Sequence, residues 1–358
     1  MNKFFYILLL ISTCYSCGSQ TSHNKPTELD TLYSPRYASH FMILSKGDSV
    51  ILRVKNPWQG AKNIEYDYSF ESTPKRVITM STSHSAMLDA VDSKGAIVGV
   101  SSPQFHWDGE LRELPDVGYD SGLNYETIVG LHSDAYFTYE LSGENSASAQ
   151  KLSSLGVNVI YIADYLEDAP LAKAEWLVAF GAVMGKLEGS VEQFSAIESR
   201  YNTTKATIKE YLEESQQPAP RVMLNSPYKD VWYMPGDSSY MVEMLRDAGA
   251  HYVGEGVGDN VSRAVSMESA YAMLQSADVW INLAADIATL NDVKRINNLM
   301  QRVDIPIYNN TLRSNPSGGS DFWESGVLRC DMVLLDLATI FFPALPLNHE
   351  LYYYKKVL

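Results

Sequence analysis

The chain has 358 residues, 46% of them hydrophobic and 11% aromatic, with 28 Lys plus Arg against 43 Asp plus Glu for a formal charge of −15. That length exceeds one ordinary hydrophobic core and predicts two lobes. The acidic balance and the lack of a basic cluster exclude nucleic acid as a partner.

The opening run, MNKFFYILLLISTCYSC, places one Lys before an apolar stretch from Phe4 to Ile11 and ends in small residues and cysteine. It is too short to span a bilayer and has the n-region and h-region of a secretory signal. A cysteine at the cleavage point predicts a lipoprotein signal over residues 1–17, in which the new N-terminal thiol takes the lipid. Cys17, between Ser16 and Gly18, is preferred to Cys14, and an ordinary secretory signal is the alternative. The expected location is the cell envelope, facing the periplasm from a lipid anchor in a membrane. Removal of the signal leaves Cys330 as the remaining free thiol, so the cores must hold the fold without an intrachain disulfide.

Residues 18–35 are polar without periodicity and read as a tether. Residues 36–74 carry YASHFMIL, the turn KGD, SVILRV, the turn NPWQG and the alternating run IEYDYSF. These predict a hairpin or three-stranded meander in a β-rich extension. From Lys75 the pattern changes. RVITM, AIVGV, DAYFTY and VNVIYI are short apolar runs separated by helical segments near 84–93, 124–132 and 144–155, as a covered parallel sheet requires. This gives an N-terminal α/β lobe over 75–168. Residues 169–217 repeat apolar positions at helical spacing and predict bridging helices. A rigid helical bridge implies limited lobe movement and a fixed cleft. From 218 to 358 the α/β grammar restarts, with strands in RVMLN, HYVG, DVWINL and IPIY and helices near 239–248, 267–276 and 289–301.

One arrangement occurs in both lobes. NYETIVGLHSDAYFTYE from Asn124 and SMESAYAMLQSADVWINLA from Ser266 each give a small polar residue, a glutamate two positions later, an apolar run, then Ser, Asp and a strand. Both mark the third helix and strand of their lobe. With Asn124 and Ser266 as N-caps, Glu126 and Glu268 take the second helical position, where a carboxylate meets the positive end of the helix dipole.

Ligand sites of open α/β sheets lie beyond the carboxyl ends of the strands. The loops there contain Ser83, His84 and Tyr139 in the first lobe, and Trp232, Tyr233, Arg313, Phe322 and Trp323 in the second. The set suits a bulky, flat ligand gripped by aromatic faces, with Arg313 as the cation. Core or lobe-closing roles for Trp232, Tyr233 and Trp323 are the competing reading. Catalytic motifs are poor. GAVMGKL at Gly181 lacks the length and the Ser or Thr of a phosphate loop, and no HExxH, GxSxG or paired cysteines occur. His84 with Glu140 or Asp321 could ligate a metal, against the weightier reading of a satisfied loop contact.

The run PKRVITMSTSHSAMLDAVDSKGAIVGVSS resembles the opening of the helical-backbone periplasmic binding proteins of the cobalamin and ferric-siderophore type. LNYETIVGLHSDAYF, LSSLGVNVIYI, the bridging helices and SDFWESGVLRCD extend the likeness over about residues 75–342. The resemblance implies two Rossmann-like α/β lobes joined by a long backbone helix, here with a β-rich extension foreign to the common form. It further implies a substrate-binding lipoprotein of an ABC importer that carries a ferric siderophore or a corrinoid and performs no chemistry on it. The metal would arrive within the chelate, and no resident cofactor is expected. The implied partners are an ABC permease and its ATPase, met by a monomer, with Glu126 and Glu268 as the docking posts. A chelatase-like metal-handling enzyme using His84, and a direct zinc or manganese binder, are the alternatives.

Overall fold

A computed structural model describes residues 29–119, 122–141, 143, 146–256 and 260–358. The predicted signal, Cys17 and most of the predicted tether lie outside the described residues.

The extension is a four-stranded antiparallel meander of β1 (Asp30–Tyr33), β2 (Phe41–Lys46), β3 (Ser49–Lys55) and β4 (Glu65–Phe70). The expected hairpin or three-stranded meander falls short by β1, which sits in the stretch read as tether. As an edge strand it leaves Asp30, Thr31 and Leu32 exposed, so its sequence shows no buried face. The inward residues Phe41, Ile43, Leu52 and Val54 are buried, and the Phe41 ring centre lies 4.8 Å from that of Trp176. Two buried carboxylates fasten the sheet to the body of the protein. Glu175 accepts from the Tyr33 hydroxyl at 2.7 Å and from the backbone N–H groups of Arg36, Tyr37 and Ala38 at 2.8 Å each. Glu167 accepts from the N–H groups of Ser39 and His40 and from the Trp176 indole at 3.2 Å. Burial holds the Glu167 carboxyl above its ordinary pKa.

The first lobe runs β5 (Val77–Thr79), α1 (Thr82–Ala90), β6 (Ile97–Val100), α2 (Gly109–Arg112), α3 (Tyr125–Gly130), β7 (Ala135–Thr138), α4 (Ala147–Ser154) and β8 (Val159–Tyr161). Its strands form a parallel sheet in the order β6-β5-β7-β8. Two helices follow, α5 (Pro170–Val183) and α6 (Leu187–Ser215). Nearly all of α5 is buried, as expected of a helix covered on every side. The 29-residue α6 leads from the first lobe to the second. The glycines of GAVMGKL serve this junction: a Cβ at Gly181 would lie 2.1 Å from the Ser190 hydroxyl, and Gly185 turns the chain at φ +69°.

The second lobe comprises β9 (Arg221–Leu224), β10 (Val231–Met234), α7 (Tyr240–Asp247), β11 (His251–Tyr252), β12 (Arg263–Ser266), α8 (Met267–Leu274), β13 (Val279–Ile281), α9 (Leu290–Ile296), β14 (Ile307–Asn309), α10 (Asp321–Glu324), α11 (Cys330–Phe341) and β15 (Lys355–Lys356). The order β11-β9-β13-β14 repeats that of the first lobe, and β15 adds an antiparallel edge. Buried Asp336 fixes the tail that carries β15, accepting from the N–H groups of Tyr352, Tyr353 and Tyr354 and from the His349 ring.

The repeated Asp has the same task in both halves. Asp134 accepts from the N–H groups of Lys75 and Arg76 at 2.7 and 2.9 Å, and Asp278 accepts from that of Arg221 at 2.8 Å. Each ties the start of its lobe's third strand to the start of its first. The two-lobed α/β fold with a helical bridge is thus as expected. The stretch NSPYKDVWYMPG, expected to be loop alone, contains β10, which pairs antiparallel with β12.

Candidate functional site

Asn124 and Ser266 are the N-caps of α3 and α8, their side chains accepting from the N–H groups of Thr127 and Ser269. Glu126 and Glu268 therefore occupy the second position of equivalent helices, and both are exposed. Within each lobe the helix precedes the third strand of a sheet of the same order. The pair is thus presented from matching places on two lobes.

The aromatic candidates separate into surface and core. Along β10 the side chains alternate, so Trp232 is fully buried while Tyr233 is 48% exposed. The Trp232 indole donates to the Leu224 carbonyl at 3.0 Å, and its ring lies tilted against Trp280 with centres 5.3 Å apart. Phe322 is likewise core, packed edge-on against Tyr353 and Tyr354, whereas neighbouring Trp323 is 56% exposed. Trp232 and Phe322 are therefore corrected to structural residues. Tyr139 is half-buried after β7 and stands edge-on to Tyr165, whose hydroxyl donates to the Glu140 carbonyl.

Ser83 and His84 also lie beneath the surface. Ser83 donates to Asp164 at 3.2 Å, and His84 Nε2 stands 3.5 Å from the other oxygen of that carboxylate. These partners hold Asp164 below the ordinary carboxyl pKa against the opposing effect of burial. The carboxylate beside His84 is Asp164, and Asp321, one of its expected partners, is held by Arg313 at 2.5 Å. Among the described residues no group of three or more His, Cys, Asp or Glu could hold a metal ion.

Arg313 is not a free cation at the cleft mouth. Besides pairing with Asp321, its guanidinium lies 5.1 Å from the Trp107 ring centre and 4.4 Å from that of Tyr352. It borders a cavity of about 780 Å³ on the flank of the lobe seam, beside α1, α6 and α10. Here the lobes are joined directly. Glu324 accepts from the N–H groups of Trp107 and Asp108 at 2.7 and 3.4 Å, Asn315 donates to the carbonyls of Gln104 and His106, and the Thr82 hydroxyl donates to the Trp323 carbonyl. Burial raises Glu324 to about 7 and lowers His106 to about 4.

A second cavity of about 400 Å³ lies between the carboxyl end of β8 and the start of α7, lined in part by Gln59, Tyr165, Asp168, Lys173, Tyr240 and Asn260. Gln59 comes from the β3–β4 turn of the extension, whose Trp58 packs edge-on against Tyr161. The extension thus helps to wall the cleft. None of these residues was among the sequence candidates. The available signal was Lys173, a lone cation in the apolar first turns of α5.

Residues 77–294 match the model of the family described as periplasmic binding protein. The chain belongs to that family. Among its relatives, this periplasmic binding protein is 26% identical over 288 residues to an uncharacterized lipoprotein of Methanocaldococcus jannaschii, covering 75% of this chain and 65% of the relative. It is 22% identical over 220 residues to a cobalamin-binding protein of Halobacterium salinarum, covering 61% and 54%. The chain therefore spans less than two thirds of these relatives' own lengths. Among solved structures, a periplasmic heme binding protein from Pseudomonas aeruginosa shares the fold with a TM-score of 0.63 at 19% identity, over 80% of this chain and 98% of that one.

The division of the aromatic set predicts two kinds of variant. Tyr233→Ala with Trp323→Ala should fold normally and lower ligand affinity by about tenfold or more, since each stacked face adds about 0.5–1.5 kcal/mol beyond its burial. Trp232→Ala or Phe322→Ala should instead cost about 3–5 kcal/mol of stability. Ligand quenching of intrinsic fluorescence and thermal denaturation separate the two. Normal binding by the folded double variant would remove Tyr233 and Trp323 from the site.

Proposed function

We propose that this protein is the substrate-binding lipoprotein of an ABC importer, capturing a metal chelate of the siderophore or tetrapyrrole class and delivering it to a membrane permease. The observation that carries this reading is the pair of exposed glutamates, Glu126 and Glu268, at the second position of equivalent helices on two lobes. A surface built for docking presents such a pair from both sides of a cleft. Exposed Tyr233 and Trp323 and half-buried Tyr139 offer aromatic faces of the kind that suits a flat chelate. The names of a cobalamin-binding relative and a heme-binding structural neighbour support that ligand class. The metal is cargo, and the protein holds its chelate without chemical change. A chelatase or a direct zinc or manganese binder would need a ligating cluster around His84, and His84 is buried against Asp164.

Cys17 is the proposed lipid site, carrying several acyl chains that together hold a membrane firmly where one alone holds only marginally. Purification of the native protein from its own cells tests both statements. Its visible absorption should show the bands of a bound chelate, and mass spectrometry should find the N-terminal peptide lipidated at Cys17. Protein that carries no chelate and takes up none would contradict the proposed cargo. An unmodified N-terminal peptide would contradict the anchor.

A further inference from the structure

The cavity of about 400 Å³ between the lobes has an unfilled donor on each side. Lys173, in the first turns of α5, donates to the Asp164 carbonyl at 2.9 Å and lies 5.6 Å from the centre of the Tyr240 ring of the other lobe. An ammonium carries three N–H donors. Its carboxylate neighbours are committed elsewhere. Asp164 accepts from Ser83 and faces His84, Glu167 accepts from Ser39, His40 and Trp176, and Asp168 accepts from Asn260 at 3.3 Å. None of the three is ion-paired with Lys173 among the described residues, and burial lowers the Lys173 pKa.

Across the cavity, Ser239 is the N-cap of α7 but makes no capping hydrogen bond. Its hydroxyl oxygen is buried and has no partner among the described residues. A buried hydroxyl without a partner is costly, and the half-buried Lys173 ammonium keeps donors beyond the one it gives to the Asp164 carbonyl. An oxygen acceptor placed between them would satisfy both, one from each lobe. The charge of that acceptor is constrained as well. One ammonium stands among Asp164, Glu167 and Asp168, so an anionic group would enter against net negative charge, while a neutral carbonyl would not.

We propose that Lys173 and Ser239 form a subsite spanning the lobes for an uncharged carboxamide arm of the bound chelate, with Gln59 and Asn260 at its rim. The subsite rests on the reading of this protein as a chelate carrier. It gives the N-terminal extension a part in choosing the cargo, because Gln59 reaches the cavity from the β3–β4 turn. A carboxamide-fringed chelate is favoured over one fringed with carboxylates.

The test is equilibrium titration of wild type, Lys173→Met and Ser239→Ala with cyanocobalamin, whose corrin bears carboxamide arms, and with haemin, whose arms are carboxylates. Thermal denaturation checks that each variant is folded. Cyanocobalamin should bind wild type more tightly than haemin does. Lys173→Met should weaken its binding by about tenfold or more, and Ser239→Ala by about threefold to tenfold. Haemin binding should be weakened little by either change. Equal cyanocobalamin affinity in wild type and folded Lys173→Met would overturn the subsite and leave the carrier reading standing. So would tight binding of haemin without cyanocobalamin. Binding of neither, nor of a ferric hydroxamate, would overturn the carrier reading and the subsite with it.

Discussion

Replacing Glu126 and Glu268 together by arginine should abolish uptake of the chelate by cells while leaving its affinity for the purified protein within about twofold of wild type. Both side chains are exposed at helix starts. Neither lines the cavity at β8 and α7 or the one on the flank of the seam. If the permease meets them with cations, each reversal places like charges opposite one another, at a cost of several kcal/mol per interface. The reversal also sets a positive group beside the positive end of a helix, which lowers stability by up to about 1 kcal/mol per site. Thermal midpoints provide that correction, and uptake is compared at matched protein levels. Normal uptake by the double variant would reduce both glutamates to helix-terminal charges.

Glu175→Ala should destabilise the protein by about 4 kcal/mol or more. Four donors converge on this fully buried carboxylate: the Tyr33 hydroxyl and the N–H groups of Arg36, Tyr37 and Ala38. Hydrogen bonds to a charged acceptor contribute about 1.5–3 kcal/mol each, and donors left buried without one carry the desolvation penalty as well. The loss should fall first on β1 and the 36–40 segment. Hydrogen exchange of those amides should accelerate well before that of the β5–β8 sheet. Glu175→Gln, which keeps one oxygen acceptor, should lie between alanine and wild type. A thermal midpoint for Glu175→Ala equal to that of wild type would show that the extension is held by its apolar face alone.

The large features were legible because they repeat. Short apolar runs alternating with helices gave both parallel sheets, and the duplicated Ser-to-Asp stretch located α3 with β7 and α8 with β13. The repeated Asp was visible as a pattern, but its bond to the first strand's backbone was not, because that contact joins residues 57 to 59 positions apart. Edge and hairpin strands were harder. Exposed β1 lacks an alternating buried face, and β15 is two residues long. Missing β10 had a direct consequence, since the strand's alternation is what buries Trp232 and exposes Tyr233. Phe322 and Trp323 are adjacent in sequence, and only the packing of the C-terminal tail under Asp336 shows which of them turns inward. The charged candidates fared similarly. Arg313 read as a free cation, yet Asp321, eight residues later, and two rings hold it. PLAKAEW marks Lys173 as a lone cation among apolar residues but carries no sign of which lobe faces it.

On this reading a single metal chelate is carried in the cleft for delivery. This is tested most directly by titrating the purified protein with cyanocobalamin, haemin and a ferric hydroxamate, following Tyr and Trp fluorescence, and repeating the titration with zinc and manganese ions alone. Saturation by a chelate at one per protein is expected with a dissociation constant of about 1 μM or below, weakened by about tenfold or more in the Tyr233→Ala, Trp323→Ala double variant, with no response to the bare ions. Stoichiometric binding of a bare ion, with no response to any chelate, would contradict it.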